Sequence, residues 1–163
     1  MNTHTYNVDI NWNADRKGTI CSPELKNTVV NECGCIEVAT PPQFPKGIAG
    51  IWSPEHLFTA AVSSCLMTTF LAIAENSKLE FRSFECHSEG KLEQIDGKYL
   101  MTEVLLQPKV VIKHEHDKER TLRILQKAEA ACLISNSIKS KVTMEPVIEV
   151  SHAEPAAHKD ILY

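Results

Sequence analysis

Alternating apolar and polar side chains predict strands in the first forty residues of the chain. Four apolar residues occupy every second position near the start, and this period of two places them on one face of a β-strand. They are Tyr6, Val8, Ile10 and Trp12. Residues 13–18 have the composition of a turn, and β-branched residues predict a further strand over 28–39. Three prolines make 40–47 a loop, because proline suits neither a helix interior nor a central strand.

A long central helix is predicted from Ser53-Pro54 onward. Serine is a good N-cap, and proline is favoured at the first helical position. No glycine or proline interrupts residues 55–77, where small and apolar residues recur at helical spacing. The residues predicted to share one face are Leu57, Ala60, Ala61, Ser64, Cys65, Thr68, Leu71 and Ala72. The small side chains among them would let another element approach the helix closely.

The rest of the chain predicts a hairpin, a second helix and a closing strand. The predicted segments are strands over 81–92 and 99–112, a helix over 118–131, a strand over 142–150 and a tail over 151–163. Asp96-Gly97 is typical of a type I′ hairpin turn, and Pro108 favours a bulge or an edge position in its strand. This order predicts an α+β fold in a single domain over 1–163, with its core over 6–150.

Composition and charge exclude several classes of protein. The chain has 163 residues and a net charge of −4, with no basic stripe, so nucleic-acid binding is not expected. The polar N-terminus has no apolar segment of the kind found in signal peptides. Polar residues are expected to divide the apolar stretches before the ~18 residues that a membrane span requires. We therefore expect a cytoplasmic protein that does not bind membranes.

The six cysteines could form disulfides, bind a metal or act as reactive thiols. In a chain of this length without a signal peptide, free or catalytic thiols are the better expectation. Cys33-Gly-Cys35 could be half of a metal site, but no second pair stands at zinc-finger spacing, so strand residues are preferred. Cys21 and Cys86 are interpreted as packing residues. The charged segment His114-Glu-His116-Asp favours a solvated turn, so no metal site is expected.

Three segments of the chain resemble the OsmC/Ohr family, the osmotically inducible protein C-like and organic hydroperoxide resistance-like proteins. Residues 50–65 resemble the family signature, in which Pro-Glu opens the central helix and a cysteine, here Cys65, follows ten residues after the Glu. Residues 128–138 resemble the segment of the second cysteine, here Cys132, although the family usually has proline where this chain has Leu133. Residues 12–18 resemble the turn that carries the family's arginine. The resemblance covers 6–150 and implies an OsmC-like fold in an intertwined dimer.

The resemblance also implies a thiol-dependent reductase of organic hydroperoxides that acts in oxidative stress defence without a cofactor. Cys65 would attack the peroxide and become a sulfenic acid, and Cys132 would condense with it to a disulfide. A dithiol reductant, such as a lipoyl group, would restore the thiols. A cysteine on an apolar helix face is otherwise often a buried structural thiol. The alternative is therefore a redox-inactive protein of the same fold that binds a small apolar ligand in its dimer groove.

Activation of Cys65 requires a nearby positive charge. A free thiol has a pKa of about 8.5, and Cys65 lies about three turns inside its helix, beyond the reach of the helix macrodipole. Arg16 is the candidate cation, and Glu55 would orient it. Ten helical residues place Glu55 and Cys65 about 15 Å apart, farther than a glutamate side chain extends. The sequence therefore predicts a homodimer in which Glu55 of one subunit serves Cys65 of the other.

Apolar residues near the predicted site would favour an organic peroxide over hydrogen peroxide, because they would bind the alkyl part of the substrate. Ile51, Trp52 and Phe58 are the predicted substrate contacts. Four further residues complete this predicted apolar group: Phe44, Ile48, Leu57 and Phe70. The alternative is that all seven belong to an ordinary core.

Overall fold

The computed structural model describes residues 3–25 and 34–151. The chain folds into two compact units, residues 1–58 and 59–163, which we call unit 1 and unit 2. The single domain expected from the sequence stays a prediction. The first part of the strand predicted over 28–39, and the tail beyond Ser151, lie outside the described residues.

Unit 1 contains a three-stranded antiparallel sheet. Its strands, in spatial order, are β1 (Asp9–Ala14), β2 (Lys17–Cys21) and β3 (Cys35–Ala39). The turn expected over 13–18 is shorter than predicted, because β1 continues to Ala14 and β2 begins at Lys17. Asp15 makes this tight turn possible with a φ of 47°, a left-handed conformation that aspartate adopts more readily than most residues. Arg16 is thereby held at the tip of a hairpin.

The loop after β3 returns to the same end of the sheet. The Ala39 N–H donates to the Trp52 carbonyl at 2.8 Å, and the Thr40 N–H donates to the Arg16 carbonyl at 3.1 Å. Val38 and Trp52 also form a parallel bridge. The loop predicted over 40–47 is confirmed, and its backbone hydrogen bonds fix Arg16 and Trp52 against β3.

Cys21 and Cys35 form a disulfide, which corrects their interpretation as a packing residue and a free strand residue. They lie directly opposite each other in the β2–β3 register. Fourteen positions separate them in the sequence, and the register that brings them together could not be inferred from the spacing of the cysteines.

The central helix, α1, spans Pro54–Asn76 and begins where the sequence predicted. Ser53 is its N-cap, since the Ser53 Oγ accepts a hydrogen bond from the His56 N–H at 3.4 Å. The same hydroxyl lies 2.8 Å from His56 Nδ1. Ser53 is fully buried, so both contacts satisfy a hydroxyl that would otherwise lack a partner.

The buried face of α1 differs from the one predicted. Its buried residues are Val62, Cys65, Leu66, Phe70 and Ala74, whereas Ala61, Ser64, Thr68, Leu71 and Ala72 are exposed. The helix is apolar around most of its circumference, so periodicity alone offered two candidate faces. Cys65 belongs to the buried face and borders the exposed one, which we call the small-residue face (residues 61, 64, 68, 71 and 72).

By length and composition, α1 could also cross a membrane. Its most apolar 18-residue window has a mean hydropathy of 1.9, and 28% of that window is buried within this chain. This corrects the expectation that polar residues keep every apolar stretch below the length of a membrane span. The core helix of a water-soluble protein has the same composition, so the finding is weak support for a membrane.

Unit 2 contains a four-stranded sheet with β5 at its centre. Its strands are β4 (Phe81–Ile95), β5 (Lys98–Ile112), β6 (Lys141–Met144) and β7 (Val147–Val150). β4 pairs antiparallel with β5, while β6 and β7 both pair parallel with its other edge. Asp96 and Gly97 join β4 to β5 with φ values of 49° and 77°. Two consecutive positive φ values are the signature of a type I′ turn, which confirms the predicted hairpin.

Two expectations for this sheet were wrong. The single strand expected over 142–150 is divided into β6 and β7, because Pro146 interrupts it. Pro108 lies in the central strand, neither at an edge nor at a bulge. It falls between residues 103–106, which pair with β6, and residues 109–112, which pair with β7. Its missing N–H is tolerated there because it lies outside both parallel ladders.

The core of unit 2 forms between its helices and its sheet. Phe70 of α1 packs against Phe81 and Phe84 of β4, with ring centroids 5.4 and 5.0 Å apart. The second helix, α2, spans Lys118–Ala131, as predicted. The largest fully buried aliphatic side chains of this unit are Leu66, Leu106, Ile112, Leu125, Val62, Val104 and Val110. Each contributes about 1.5–3 kcal/mol by leaving water, and together they fix α1 and the end of α2.

Gly90→Ala should destabilise unit 2. A Cβ at position 90 would overlap Thr59 Oγ1 and lie 2.7 Å from Met101 Cε, so these two side chains would have to rotate away or α1 would have to shift from β4. Such overpacking typically costs about 1–3 kcal/mol. Urea unfolding measures the change in free energy, and Thr59→Ala in the same chain should restore part of it. Full stability of the single variant would contradict the close approach of α1 to β4.

Candidate functional site

Cys65 and Cys132 meet in unit 2 as free, buried thiols. Cys65 lies in the middle of α1, and Cys132 is the residue at which α2 ends and the chain becomes extended. The chain then folds into a short 3-10 turn over Ser135–Ser137. This turn directs the Ser135 N–H back to Cys132 Sγ at 3.5 Å. The two cysteines that the family resemblance selected are therefore neighbours.

The two thiols share a hydrogen bond, and their surroundings shift their pKa values in opposite directions. Burial raises the pKa of Cys65, and its hydrogen bond with Cys132 raises it further. Burial also opposes ionisation of Cys132, but hydrogen bonds from Cys65 and from the backbone N–H groups of Ser135 and Ile134 outweigh it. The pKa of Cys132 is lowered as a result. The proton therefore belongs to Cys65, and negative charge is favoured on Cys132.

This distribution of charge matters for the order of any reaction. Cys65 is 8% exposed and Cys132 is completely buried, so the sulfur that a substrate reaches first is the one that holds the proton. A protonated thiol is a poor nucleophile. Cys132 is, however, already hydrogen-bonded to that proton and can accept it. The pair can therefore produce a Cys65 thiolate by proton transfer between the two sulfurs, once a positive charge stabilises it.

Arg16 and Glu55 line one cavity of unit 1, which has a volume of about 540 Å³. Arg16 comes from the β1–β2 turn, and Glu55 from the first turn of α1. Most of the remaining wall is apolar and includes Ile10, Trp12, Val38, Ala39, Pro41 and Phe44. The cavity thus combines two cations, Arg16 and Lys17, and two carboxylates, Asp15 and Glu55, with an apolar surface. Ile10 and Trp12 were not predicted as cavity residues; the signal was that they alternate on one face beside the turn of Arg16.

The predicted substrate contacts occupy different places. Ile51 and Trp52 line a second cavity of unit 1, of about 280 Å³, together with His56. Trp52 is 50% exposed, and its ring meets that of His56 edge-on at 6.2 Å. Phe58 is half-buried on α1. Phe70 is fully buried in the core of unit 2, so its inclusion in the apolar substrate group was wrong.

His114, His116 and Cys35, which were considered as possible metal ligands, lie in other environments. Among the described residues, no group of three or more His, Cys, Asp or Glu side chains is placed to hold a metal ion. The rings of His114 and His116 stack in parallel with centroids 5.3 Å apart. Cys35 is in a disulfide, so it offers no thiolate.

The Cys132 thiol should ionise at lower pH than an ordinary cysteine, because its hydrogen-bond donors stabilise the anion. Thiolate absorbance followed across a pH titration should therefore lose its lowest-pH transition in Cys132→Ser. Cys86→Ser is the matched control and should leave that transition in place. If Cys65→Ser removed the low-pH transition and Cys132→Ser did not, the assignment of the charge would be reversed.

Comparison with known proteins agrees with the fold. Residues 47–147 match the family model of the OsmC-like proteins. The chain is 26% identical to the uncharacterised YmaD protein of Bacillus subtilis over 89% of this chain and 93% of that protein.

Two solved structures have the same fold. The structure of an OsmC-like protein of unknown function from Vibrio cholerae has a TM-score of 0.76 at 23% identity, covering 89% of this chain and all of that one. An organic hydroperoxide resistance protein from Elizabethkingia anophelis has a TM-score of 0.68 at 18% identity, covering 92% and 99%. The α+β, OsmC-like architecture expected from the sequence is confirmed, and the chain belongs to the OsmC-like family.

Proposed function

We propose that this protein is a thiol-dependent reductase of organic hydroperoxides. The observation that carries the proposal is the buried, hydrogen-bonded pair of Cys65 and Cys132, in which one sulfur can accept the proton of the other. Proteins of this fold include ones named for organic hydroperoxide resistance. Two thiols in contact supply the two electrons that the reduction of a peroxide consumes, so no cofactor is required.

The reaction proceeds in three steps. The Cys65 thiolate attacks the outer oxygen of the peroxide, the O–O bond breaks, and the alkoxide leaves and takes up a proton to become an alcohol. Cys65 is then a sulfenic acid. Cys132 attacks its sulfur, and hydroxide leaves as water, which forms the disulfide. A dithiol of the lipoyl type reduces that disulfide by thiol–disulfide exchange and is itself oxidised to a cyclic disulfide.

Arg16 and Glu55 provide the activation that the thiol pair lacks. The pKa of Cys65 is raised by its own surroundings, so a thiolate there needs an added positive charge. The guanidinium of Arg16 supplies that charge, and the carboxylate of Glu55 orients it. Glu55 and Cys65 lie on the same unbroken helix, and ten residues of helix place their backbones about 15 Å apart. We therefore assign the Arg16 and Glu55 that serve Cys65 to the second chain of a homodimer.

The small-residue face of α1 supports this assignment. Leu71 and Met67 are 40% and 39% exposed at or beside this face, and the face borders Cys65. Small and apolar side chains at helical spacing allow a second helix to approach closely. A second copy of the chain that covers this face would bury α1 and bring its own Arg16 cavity towards the thiol.

The apolar wall of the Arg16 cavity favours an organic substrate. Trp12, Phe44 and Val38 offer contacts to an alkyl or aryl group. The Arg16 guanidinium can donate hydrogen bonds to the peroxide oxygens, and the Glu55 carboxylate can accept one from the peroxide O–H. Ile51, Trp52 and Phe58 remain proposed substrate contacts outside the lining of this cavity. Reduction by a dithiol fits a cytoplasmic setting, which we also propose.

The same cavity supports a second candidate function. An apolar cavity of this volume accommodates a small ligand, and a Cys65 that keeps its proton is unreactive. In this alternative the dimer binds an apolar molecule, and Cys65 and Cys132 are never oxidised and reduced in turn.

Cumene hydroperoxide at modest excess should remove the free thiols of Cys65 and Cys132 from protein that keeps its Cys21–Cys35 disulfide. Cys65→Ser should abolish this loss, because it removes the attacking sulfur, and Cys132→Ser should leave a sulfenic acid that a dimedone reagent traps. Thiol titration and mass spectrometry of mapped peptides measure both, with Cys86→Ser as the matched control. Unchanged thiols at Cys65 and Cys132, together with a ligand seen by native mass spectrometry, would favour the binding alternative.

Subunit complementation tests the composite site. Arg16→Gln should lower the rate of peroxide reduction about a hundredfold, as expected when a group that stabilises an anion is removed, and Cys65→Ser should abolish it. If the site combines two chains, unfolding and refolding an equal mixture of the two variants should restore about a quarter of the native activity, since half of the dimers are mixed and each has one intact site. No recovery above the Arg16→Gln level in verified mixed dimers would place the site within one chain.

A further inference from the structure

The Cys21–Cys35 disulfide lies at one end of the β2–β3 ladder, and the Arg16 cavity lies at the other. Five residue pairs form this ladder, from Lys17–Ala39 to Cys21–Cys35. Lys17 and Ala39 line the cavity. Because alternate residues of a strand share a face, the disulfide projects from the same face of the sheet as these two residues. The same two short strands, β2 and β3, therefore carry the disulfide and form part of the wall of the Arg16 cavity.

The disulfide contributes much of what joins the two strands at its end. Beyond it, the Ser22 N–H donates to the Gly34 carbonyl at 3.4 Å, a long hydrogen bond. At the cavity end, the Thr40 N–H donates to the carbonyl of Arg16 at 3.1 Å, and Lys17 pairs with Glu37 at 2.8 Å. With the disulfide open, β3 would be held to β2 by the five ladder pairs, the two flanking backbone hydrogen bonds and one exposed ion pair, while β2 would keep its pairing with β1. Ion pairs of this kind add little stability.

Both sulfur-bearing residues are half-buried, so a small thiol can reach them. A dithiol would attack one sulfur, form a mixed disulfide and close on itself, which leaves Cys21 and Cys35 as thiols. An organic hydroperoxide would reverse this change: one thiolate takes an oxygen and releases the alcohol, and the second thiol displaces water. Each direction transfers two electrons, and both reactants belong to the chemical classes of the proposed function.

We propose that Cys21–Cys35 is a second redox site, which controls the order of the Arg16 cavity through the β2–β3 ladder. The disulfide holds β2 and β3 together, and the cavity is formed. The dithiol form loosens the ladder, and Arg16 loses its fixed position. The thiol–disulfide exchange at Cys21–Cys35 does not require the proposed peroxide reduction. Its effect on substrate binding, in contrast, rests on that proposed function.

The test uses the full chain with Cys65→Ser and Cys132→Ser, so that the proposed peroxidase chemistry is absent. Peptide mapping after alkylation, at graded ratios of reduced to oxidised dithiothreitol, should show Cys21 and Cys35 changing together and reversibly. Hydrogen exchange by mass spectrometry should then show amides of β2 and β3 exchanging about tenfold or more faster in the reduced protein, while those of β4 and β5 stay unchanged as an internal control. Cys21→Ser should reproduce the fast exchange without any reductant, and Cys86→Ser should not.

Three results would overturn the proposal. They are a Cys21–Cys35 bond that no dithiol opens in the folded protein, a different partner for either cysteine, and reduction that leaves the exchange of β2 and β3 unchanged. A second readout in the otherwise native chain separates this site from the proposed function. There, Cys21→Ser should lower kcat and raise KM for cumene hydroperoxide, because the disturbed cavity supplies both Arg16 and apolar contacts, while Cys65 and Cys132 still titrate as free thiols. If the native chain reduces no peroxide while the exchange result holds, only the proposed function fails.

Discussion

The hydrogen bond between Cys65 and Cys132 is the interaction on which the chemistry proposed for this protein depends. It requires the middle of α1 and the end of α2 to meet, which the core beneath them ensures through side chains such as Leu66 and Leu125. The bond assigns the proton to Cys65 and the charge to Cys132. In the proposed mechanism, the pair is stable while buried and becomes reactive when a cation approaches. A thiol site controlled in this way keeps its nucleophile inactive until the rest of the site is assembled.

The turn after α2 shows how this sequence supports Cys132 where the family usually has proline. Leu133 is 68% exposed and makes no part of the core. Three hydrogen bonds hold the turn instead: the Asn136 side chain donates to the Ala130 carbonyl at 3.0 Å, the Asn136 N–H to the Cys132 carbonyl at 3.1 Å, and the Ser137 hydroxyl to the Leu133 carbonyl at 2.7 Å. Polar side chains thus provide the backbone restriction that a proline ring provides elsewhere.

Local signals in the sequence predicted the helices and strands well, but they could not predict contacts between distant segments. Ser53-Pro54 and Asp96-Gly97 each determine the backbone within a few residues, so the start of α1 and the hairpin were predictable. The buried face of α1 was not, because its apolar residues extend around most of the helix and only the sheet decides which side is covered. The Cys21–Cys35 bond depends on strand register. The thiol pair was found by resemblance to known segments; periodicity alone would have left Cys65 as a packing residue.

The position of the two thiols in the chain has a consequence for folding. Cys65 and Cys132 stand 67 positions apart, with the whole β4–β5 hairpin and α2 between them. Closing a loop of this length by a disulfide would reduce the entropy of the unfolded chain enough to stabilise the folded state by about 4 kcal/mol on the chain-entropy model. Oxidation of Cys65 and Cys132 would thus make the protein more resistant to unfolding when peroxide damages other proteins. Its melting temperature would then report whether the two thiols are oxidised.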